Sequence, residues 1–108
     1  MLRRFSILSS ALALLIFPLH AQFDSGQISG YVRDSSQAVI SGAIITAINA
    51  GTADQRSTTT NVNGYYVFPN LPVGKYNVSA EVAGFKKTLE TGVSLDSASK
   101  VNVDLTTR

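Results

Sequence analysis

The sequence contains no cysteine, no tryptophan and a single histidine among its 108 residues. That histidine, His20, lies near the amino terminus, in a segment interpreted below as a secretory leader. The rest of the chain therefore lacks the ligands typical of zinc sites and the Cys or His groups that most nucleophilic enzymes use. A disulfide scaffold is excluded outright. We expect no catalytic residues, no metal site and no cofactor.

The chain that follows the leader also has no excess of positive or negative charge. The formal charge of +2 depends on Arg3 and Arg4, which belong to the leader. From residue 22 onward the sequence holds seven Lys or Arg and seven Asp or Glu, so this part is formally neutral. Proteins that bind nucleic acid concentrate positive charge, which disfavours that class of function here. The carboxylates are scattered and form neither a calcium-loop series nor a recognisable acid–base pair.

The amino terminus has the three parts of a secretory signal. Arg3 and Arg4 precede an uncharged run of 13 residues, 5–17, and Pro18 then ends the run before Ala21. The run is shorter than the roughly 20 apolar residues that a spanning helix needs, so cleavage is favoured over membrane anchoring. We predict a signal peptide at 1–21 and one domain at 22–108.

Export of the full chain in a Gram-negative host should therefore give a product that starts near Gln22. The positively charged start, the apolar run and the small residue Ala21 are the features that signal peptidase requires. Intact-mass measurement of the periplasmic protein checks this. Membrane-bound protein that retains its first 21 residues would contradict it.

The remaining sequence predicts strands and no helix, because apolar residues alternate and turn residues recur at short intervals. Alternation predicts inward-facing sets at 28, 30 and 32, at 76, 78, 80 and 82, and at 101, 103 and 105. In the second segment, Ile45 and the pair Ile44 and Ile48 face opposite sides, and the sequence leaves open which side is buried. The seven predicted strands are 27–33, 43–49, 56–60, 65–68, 75–82, 85–89 and 100–106.

One stretch, residues 60–78, has a specific pattern. It reads Thr60-Asn-Val-Asn-Gly-Tyr-Tyr-Val-Phe-Pro-Asn-Leu-Pro-Val-Gly-Lys-Tyr-Asn-Val78. It resembles the carboxypeptidase regulatory-like domain family, whose pattern is T-(D/N)-x-x-G-x-Y-x-F-x-x-L-P-x-G-x-Y-x-V. Gly84-Phe85 and the upstream segments 30–34 and 42–43 extend the resemblance over roughly residues 26–105. Gln37 and Ser41 depart from the family, which often has Gly and Pro there.

The resemblance implies a transthyretin-like, seven-stranded Greek-key β-sandwich without catalysis. Such modules occur beside metallocarboxypeptidase domains, at the amino terminus of TonB-dependent outer-membrane receptors, and as separate secreted modules. Their fold is similar to that of starch-binding domains, so a carbohydrate-binding role is often assigned by analogy. The resemblance also points to bacteria, and hence to the periplasm or the outer membrane.

Four residues are candidates for surface binding. Tyr31 and Tyr65 face away from the predicted core and could stack on sugars, although ordinary cross-strand packing is the favoured explanation of such a pair. Ile44 and Ile48, if they face outward, would form an apolar patch for a neighbouring domain.

We therefore expect a secreted, non-enzymatic accessory module that docks a protein or domain in the periplasm or at the outer membrane. Two alternatives stay open. One is a carbohydrate-binding module, and the other is an amino-terminal fragment of a TonB-dependent receptor. The mature chain is not expected to span a membrane or to bind nucleic acid.

Overall fold

The computed structural model describes residues 24–108, which consist of strands and loops. The predicted leader, 1–21, lies outside the described residues, as do Gln22 and Phe23. The strands are β1 Ser25–Asp34, β2 Ile44–Asn49, β3 Gln55–Thr59, β4 Tyr65–Pro72, β5 Gly74–Glu81, β6 Thr88–Leu95, β7 Lys100–Asn102 and β8 Leu105–Thr107.

These strands form two sheets that pack face to face. In the first sheet β1 lies between β4, which is antiparallel to it, and the consecutive short strands β7 and β8, which run parallel to it. The second sheet has the order β3-β2-β5-β6, with every pair antiparallel. The chain crosses between the sheets after β1, β3, β4 and β6. The predicted all-β sandwich is confirmed.

Alternating side chains from both sheets build the core between them. The predicted inward sets of the first and fifth strands are confirmed, with Val82 only half-buried. Tyr66 and Phe68 of β4 are buried, and their ring centroids lie 5.9 Å apart in an edge-to-face arrangement. The core consists of Ile28, Val32, Ala43, Ile45, Ala47, Tyr66, Phe68, Leu71, Tyr76, Val78, Ala80, Val93, Leu95, Val103 and Leu105.

The last predicted strand, 100–106, is in fact two short strands, which makes eight strands instead of seven. Alternation is kept across the break, since Val103 and Leu105 are both buried. The break occurs where side chains bind two backbone groups that would otherwise continue the ladder, the Val103 carbonyl and the Tyr31 amide. The Tyr66 hydroxyl donates to the Val103 carbonyl at 2.6 Å, and the Asp104 carboxylate accepts from the Tyr31 amide at 2.8 Å.

Two other predicted boundaries were wrong. The predicted loop 69–74 is partly strand, since β4 continues to Pro72. Prolines are tolerated there because β4 is an edge strand and has no neighbour on its outer side. The predicted strand 85–89 begins instead at Thr88 and runs to Leu95. Phe85 lies in a turn before it, where its amide donates to the Val82 carbonyl at 3.0 Å.

Left-handed backbone conformations form two of the turns. Gly64 has a φ of +74°, as the pattern Asn61-Val-Asn-Gly predicts, and a β-carbon there would lie 2.8 Å from Cβ of Val39. Gln37, where the family often has glycine, adopts the same conformation with a φ of 74°. The Asp34 carboxylate braces this turn by accepting from the amides of Ser36 and Ala38. These hydrogen bonds and that of the Ser36 hydroxyl hold the pKa of Asp34 below its usual value.

Candidate functional site

Tyr31 and Tyr65 lie on the outer face of the first sheet, directly opposite each other in the β1–β4 register. Their ring centroids are 5.1 Å apart and the ring planes are tilted by 58°. Cζ of the Arg33 guanidinium lies 4.9 Å from the centroid of the Tyr31 ring, within cation–π range. Sequence reasoning placed both tyrosines on the outer side of their strands, and the structure brings them together as a packed pair.

Asp104 fixes the surroundings of this pair. One oxygen of its carboxylate accepts a hydrogen bond from the Tyr31 amide. The other oxygen lies 3.9 Å from Nη1 of Arg33, and this contact is a weak ion pair at the surface. Arg33, Asp104 and the two rings thus pack against one another. Because the rings are tilted instead of coplanar, they do not form a flat platform for the face of a sugar. Cross-strand packing accounts for this arrangement without a ligand.

Ile44 lies on the outer face of the second sheet and is 48% exposed, whereas Ile45 is completely buried. The register with β5 decides this, because Ile45 lies opposite the buried Ala80 and Ile44 opposite the exposed Glu81. Ile48 shares the outer face but is half-buried. The sequence left open which side of this strand is buried. In the structure Ile45 faces the core, and Ile44 and Ile48 face outward.

An open groove of about 390 Å³ lies beside Ile44. The other groups that line it are Glu81, Val82, Ala83, Phe85 and Lys87. Phe85 is 38% exposed here, which the sequence did not indicate because its alternation predicts a single strand over 85–89. The residue in the sequence that could have indicated the exposure of Phe85 is Gly84. It has a φ of +86° and lies in the turn that follows β5.

The rest of this outer face is unusually poor in charge. The register places three apolar side chains on it, Ile44, Ile48 and Leu89, of which Leu89 is 57% exposed. Most of the remaining positions carry hydroxyl or amide groups. Its charged residues are Lys75 and Glu81, at opposite ends of β5, and Lys87, which lines the groove together with Glu81. The polar positions are Thr46, Gln55, Ser57, Thr59, Asn77, Ser79 and Ser94.

Several of these polar groups are already hydrogen-bonded within the sheet. The hydroxyls of Thr46 and Ser57 lie 3.1 Å apart across β2 and β3, and the Asn77 side-chain carbonyl accepts from the Gly92 amide at 3.3 Å. Ser79 is buried among its neighbours. Covering the Thr46–Ser57 pair would cost little, because these two hydroxyls already have each other as partners.

A second, polar cleft of about 310 Å³ lies at the other end of β2 and β5. The hairpin between β2 and β3 forms one wall with Thr52, Asp54 and Arg56, and Tyr76 lies at its inner side. The Asn49 side chain shapes the hairpin, since its carbonyl accepts the amides of Gly51 and Thr52. The cleft offers hydrogen-bonding groups above an apolar floor.

Within residues 24–108, no three His, Cys, Asp or Glu side chains come close enough together to hold a metal ion. The same residues include no helix with the length and apolar character needed to cross a membrane. What these residues present to a ligand is the apolar face and groove around Ile44, the packed tyrosine pair, and the polar cleft.

Comparison with known proteins identifies the sequence pattern. The model of the carboxypeptidase regulatory-like domain family matches residues 27–108. A search of curated protein sequences finds no significant match. Among solved structures, the Bacillus anthracis TIE protein superposes with a TM-score of 0.66 at 19% identity, and the match covers 78% of this chain but 16% of that protein.

Two further structures show the same fold. A candidate carbohydrate-binding protein from Pseudomonas aeruginosa has a TM-score of 0.55 at 22% identity, covering 87% of this chain and 99% of that one. A chain of a type II cohesin–X-dockerin complex from Acetivibrio cellulolyticus has a TM-score of 0.56 at 22% identity, covering 76% of this chain and 56% of that one. Similarity at this level of identity supports the sandwich fold alone.

Proposed function

The chain belongs to the carboxypeptidase regulatory-like domain family, and on that premise we propose that it is a secreted, non-enzymatic module that docks a protein surface in the periplasm or at the outer membrane. The observation that carries this proposal is the outer face of the second sheet, where Ile44 is 48% and Leu89 57% exposed and Ile44 lies beside the groove at Phe85. Contiguous exposed apolar groups on a small domain mark interaction sites.

The chemistry of this face favours a protein partner. Hydrophobic anchors such as Ile44 and Phe85 gain affinity by entering a complementary apolar surface, and the neighbouring hydroxyls of Thr46 and Ser57 already pair with each other. Structures of similar fold occur inside longer chains, as in the TIE protein and the cohesin–X-dockerin complex. That context supports a role beside other domains.

Site-directed cross-linking in the native host tests the proposal. A photoreactive phenylalanine analogue at position 44 should give a discrete protein adduct, identified by mass spectrometry. Val62, which is 81% exposed on the turn between β3 and β4, is the position for background labelling. Introducing Phe85→Ala should lower the adduct yield at position 44 about tenfold, since truncation of an anchoring aromatic costs more than about 1 kcal/mol. Equal labelling at 44 and 62 would contradict docking here.

Carbohydrate binding is the second candidate, supported by the polar cleft at Asp54 and Arg56. A glycan array separates the two functions. Glycan binding that is lost in Tyr65→Ala or Arg56→Ala, but kept in Ile44→Arg, would favour the carbohydrate function over docking.

A further inference from the structure

The first and the last strands of the domain are neighbours and run in the same direction. β1 pairs in parallel with β7 at residues 27–29 and with β8 at residues 32–34. Because the strands are parallel, Ser25 at the start of β1 and Thr107 at the end of β8 lie at opposite ends of the first sheet, about 30 Å apart along the strand axis. Force applied between residues 24 and 108 therefore runs along β1 and acts on its contacts with β7 and β8.

Hydrogen bonds join β1 to these last strands at every second residue. The groups involved on β1 are the amide of residue 27, the carbonyl of residue 29, the amide of residue 31 and the carbonyl of residue 33. Their partners, in the same order, are the Ser99 carbonyl, the Val103 amide, the Asp104 carboxylate and the Thr107 hydroxyl, at 2.9, 2.7, 2.8 and 3.4 Å. The ladder thus continues along β1 from residue 27 to residue 33, across the break between β7 and β8.

Asp104 carries the ladder across this break. In a regular parallel ladder, Val103 would donate its amide to the Ser29 carbonyl and accept the Tyr31 amide with its own carbonyl. Here the Val103 carbonyl accepts the Tyr66 hydroxyl, and the Asp104 carboxylate accepts the Tyr31 amide in its place. Hydrogen bonds to a charged acceptor are stronger than those to a neutral one. The side chain of Asp104 therefore replaces the missing backbone hydrogen bond.

We propose that β1, β7 and β8 form a mechanical clamp, by which the domain bears tensile load between its two ends. Force along parallel neighbouring strands loads their hydrogen bonds in shear, so several bonds must break together before β1 can slide. Force applied across the strands at one end would break the same bonds one after another. Because forced unfolding is governed by the unfolding barrier, the domain should resist far more force in shear. The clamp lies in the first sheet and the proposed docking face on the second, so the two inferences are independent.

Side chains on the inner face of these strands add to the resistance. Ile28 and Val32 of β1 are completely buried, and Val103 and Leu105 of the last segment are buried against the same core. Sliding β1 would pull these side chains out of a close-packed interior while the hydrogen bonds break. β4 also pairs with β1 on its other side. We therefore expect that the core stays folded until the clamp opens.

Single-molecule force spectroscopy of the exported chain in two pulling directions tests the clamp. The sequence has no cysteine, so introduced cysteines are the sole attachment points. The pair Asp24→Cys and Arg108→Cys applies force along β1, in shear. The pair Ser35→Cys and Arg108→Cys applies force at one end, where Asp34 lies opposite Thr107, and unzips β8 from β1. The rupture force should be several times higher for the first pair.

The length released on rupture in shear should correspond to the whole domain. The chain between residues 24 and 108 extends to about 300 Å at about 3.6 Å per residue, which exceeds the distance between its folded ends by about 270 Å. A single step of that length is expected. An earlier step of about 30 Å would show that β7 and β8 detach separately, which contradicts the clamp.

Variants of Asp104 test its part in the ladder. Asp104→Ala should lower the rupture force in shear by about a quarter, since it removes one of the four hydrogen bonds described above, and should leave the onset of unzipping unchanged. Asp104→Asn keeps a side-chain oxygen that can accept the Tyr31 amide and loses the ion pair with Arg33, so it should retain most of the wild-type force. Glu90→Ala, which removes an exposed carboxylate on β6 outside the clamp, is the matched control and should change neither force. Circular dichroism melts establish that each variant is folded.

Equal rupture forces in the two pulling directions would overturn the proposal, because resistance would then depend on overall stability and not on the arrangement of the strands. A loss in Asp104→Ala of the same size in both directions would contradict it for the same reason. A shear force that Asp104→Ala leaves unchanged would show that the ladder is not continuous across the break, and this too would overturn the clamp.

Discussion

Tyr66→Ala should lower the free energy of unfolding by about 3–5 kcal/mol, the range for removing a buried aromatic side chain. Tyr66 is 1% exposed, packs edge-to-face on Phe68, and donates its hydroxyl to the Val103 carbonyl at 2.6 Å. Its loss leaves both a cavity and an unpaired buried carbonyl. For a small domain with a total stability of about 4–13 kcal/mol, this is a large fraction. Urea melts followed by circular dichroism measure it.

Phe68→Ala should fall in the same range, because Phe68 is also buried in the core. Tyr65→Ala is the matched control on the same strand. Its ring lies on the outer face, so the loss should be about 0.2–1 kcal/mol, the usual range for a cross-strand pair. A larger loss at Tyr65 than at Tyr66 would mean that β4 presents the opposite face to the core.

The hydroxyl of Tyr66 can be tested by itself. Burial, followed by the nearby Asp104 carboxylate, raises the pKa of Tyr66 well above its usual range. The group therefore stays protonated and continues to donate at any pH at which the domain is normally handled. Tyr66→Phe keeps the ring and should cost about 1–3 kcal/mol, the penalty for leaving a buried acceptor unpaired.

Gly30→Ala should destabilise the domain by about 3 kcal/mol or more, at or beyond the upper end for overpacked sites. A β-carbon at Gly30 would overlap the carbonyl oxygen of Val103 and lie 2.6 Å from the carbonyl carbon. These are backbone atoms, so they cannot rotate away as a flexible side chain would. The added methyl group must push the junction of β7 and β8 off β1 and break the hydrogen bond from the Val103 amide to the Ser29 carbonyl.

Gly51→Ala provides the comparison for this prediction. A β-carbon at Gly51 would meet only Oδ1 of Asn49, at 3.4 Å, which is close to ordinary contact. Its unfolding free energy should stay within about 0.5 kcal/mol of wild type, as for surface substitutions without a specific feature. Thermal melts of both variants decide the matter. Similar stabilities would show that β1 and the β7–β8 junction have room to separate.

The alternation in β4 and β5 was readable because it is strong and local. Tyr66 and Phe68 are separated by one residue, as are Tyr76 and Val78, and side chains two apart in a strand share a face. No tertiary information is needed to infer that such residues lie inside. The resemblance to the family added the sandwich architecture and extended it over roughly residues 26–105. Together these inferences predict most of the fold, namely its class, most of its strands and their inward-facing residues.

The candidate surface depended on tertiary structure to a greater degree. The run 43–49 is apolar on both faces, and Ile44 and Ile45 are equally hydrophobic and β-branched. Only the pairing of Ile45 with Ala80 and of Ile44 with Glu81 shows which of the two is exposed. Phe85 was likewise hidden, because a strand prediction gave no reason to expect a turn that exposes its ring beside Ile44.

The amino-acid sequence by itself determined the β-sandwich class, the family, the alternating core positions and the neutral charge of residues 22–108, because each depends on residue type and short-range spacing. Tertiary structure alone decided which face of β2 is exposed, that Ile44 and Phe85 line one groove, and that the last strand divides at Val103. The physical reason is that register and contact between the sheets join residues far apart in the chain. The hydrogen bond from Tyr66 to Val103 spans 37 residues, and no local pattern specifies such a pairing.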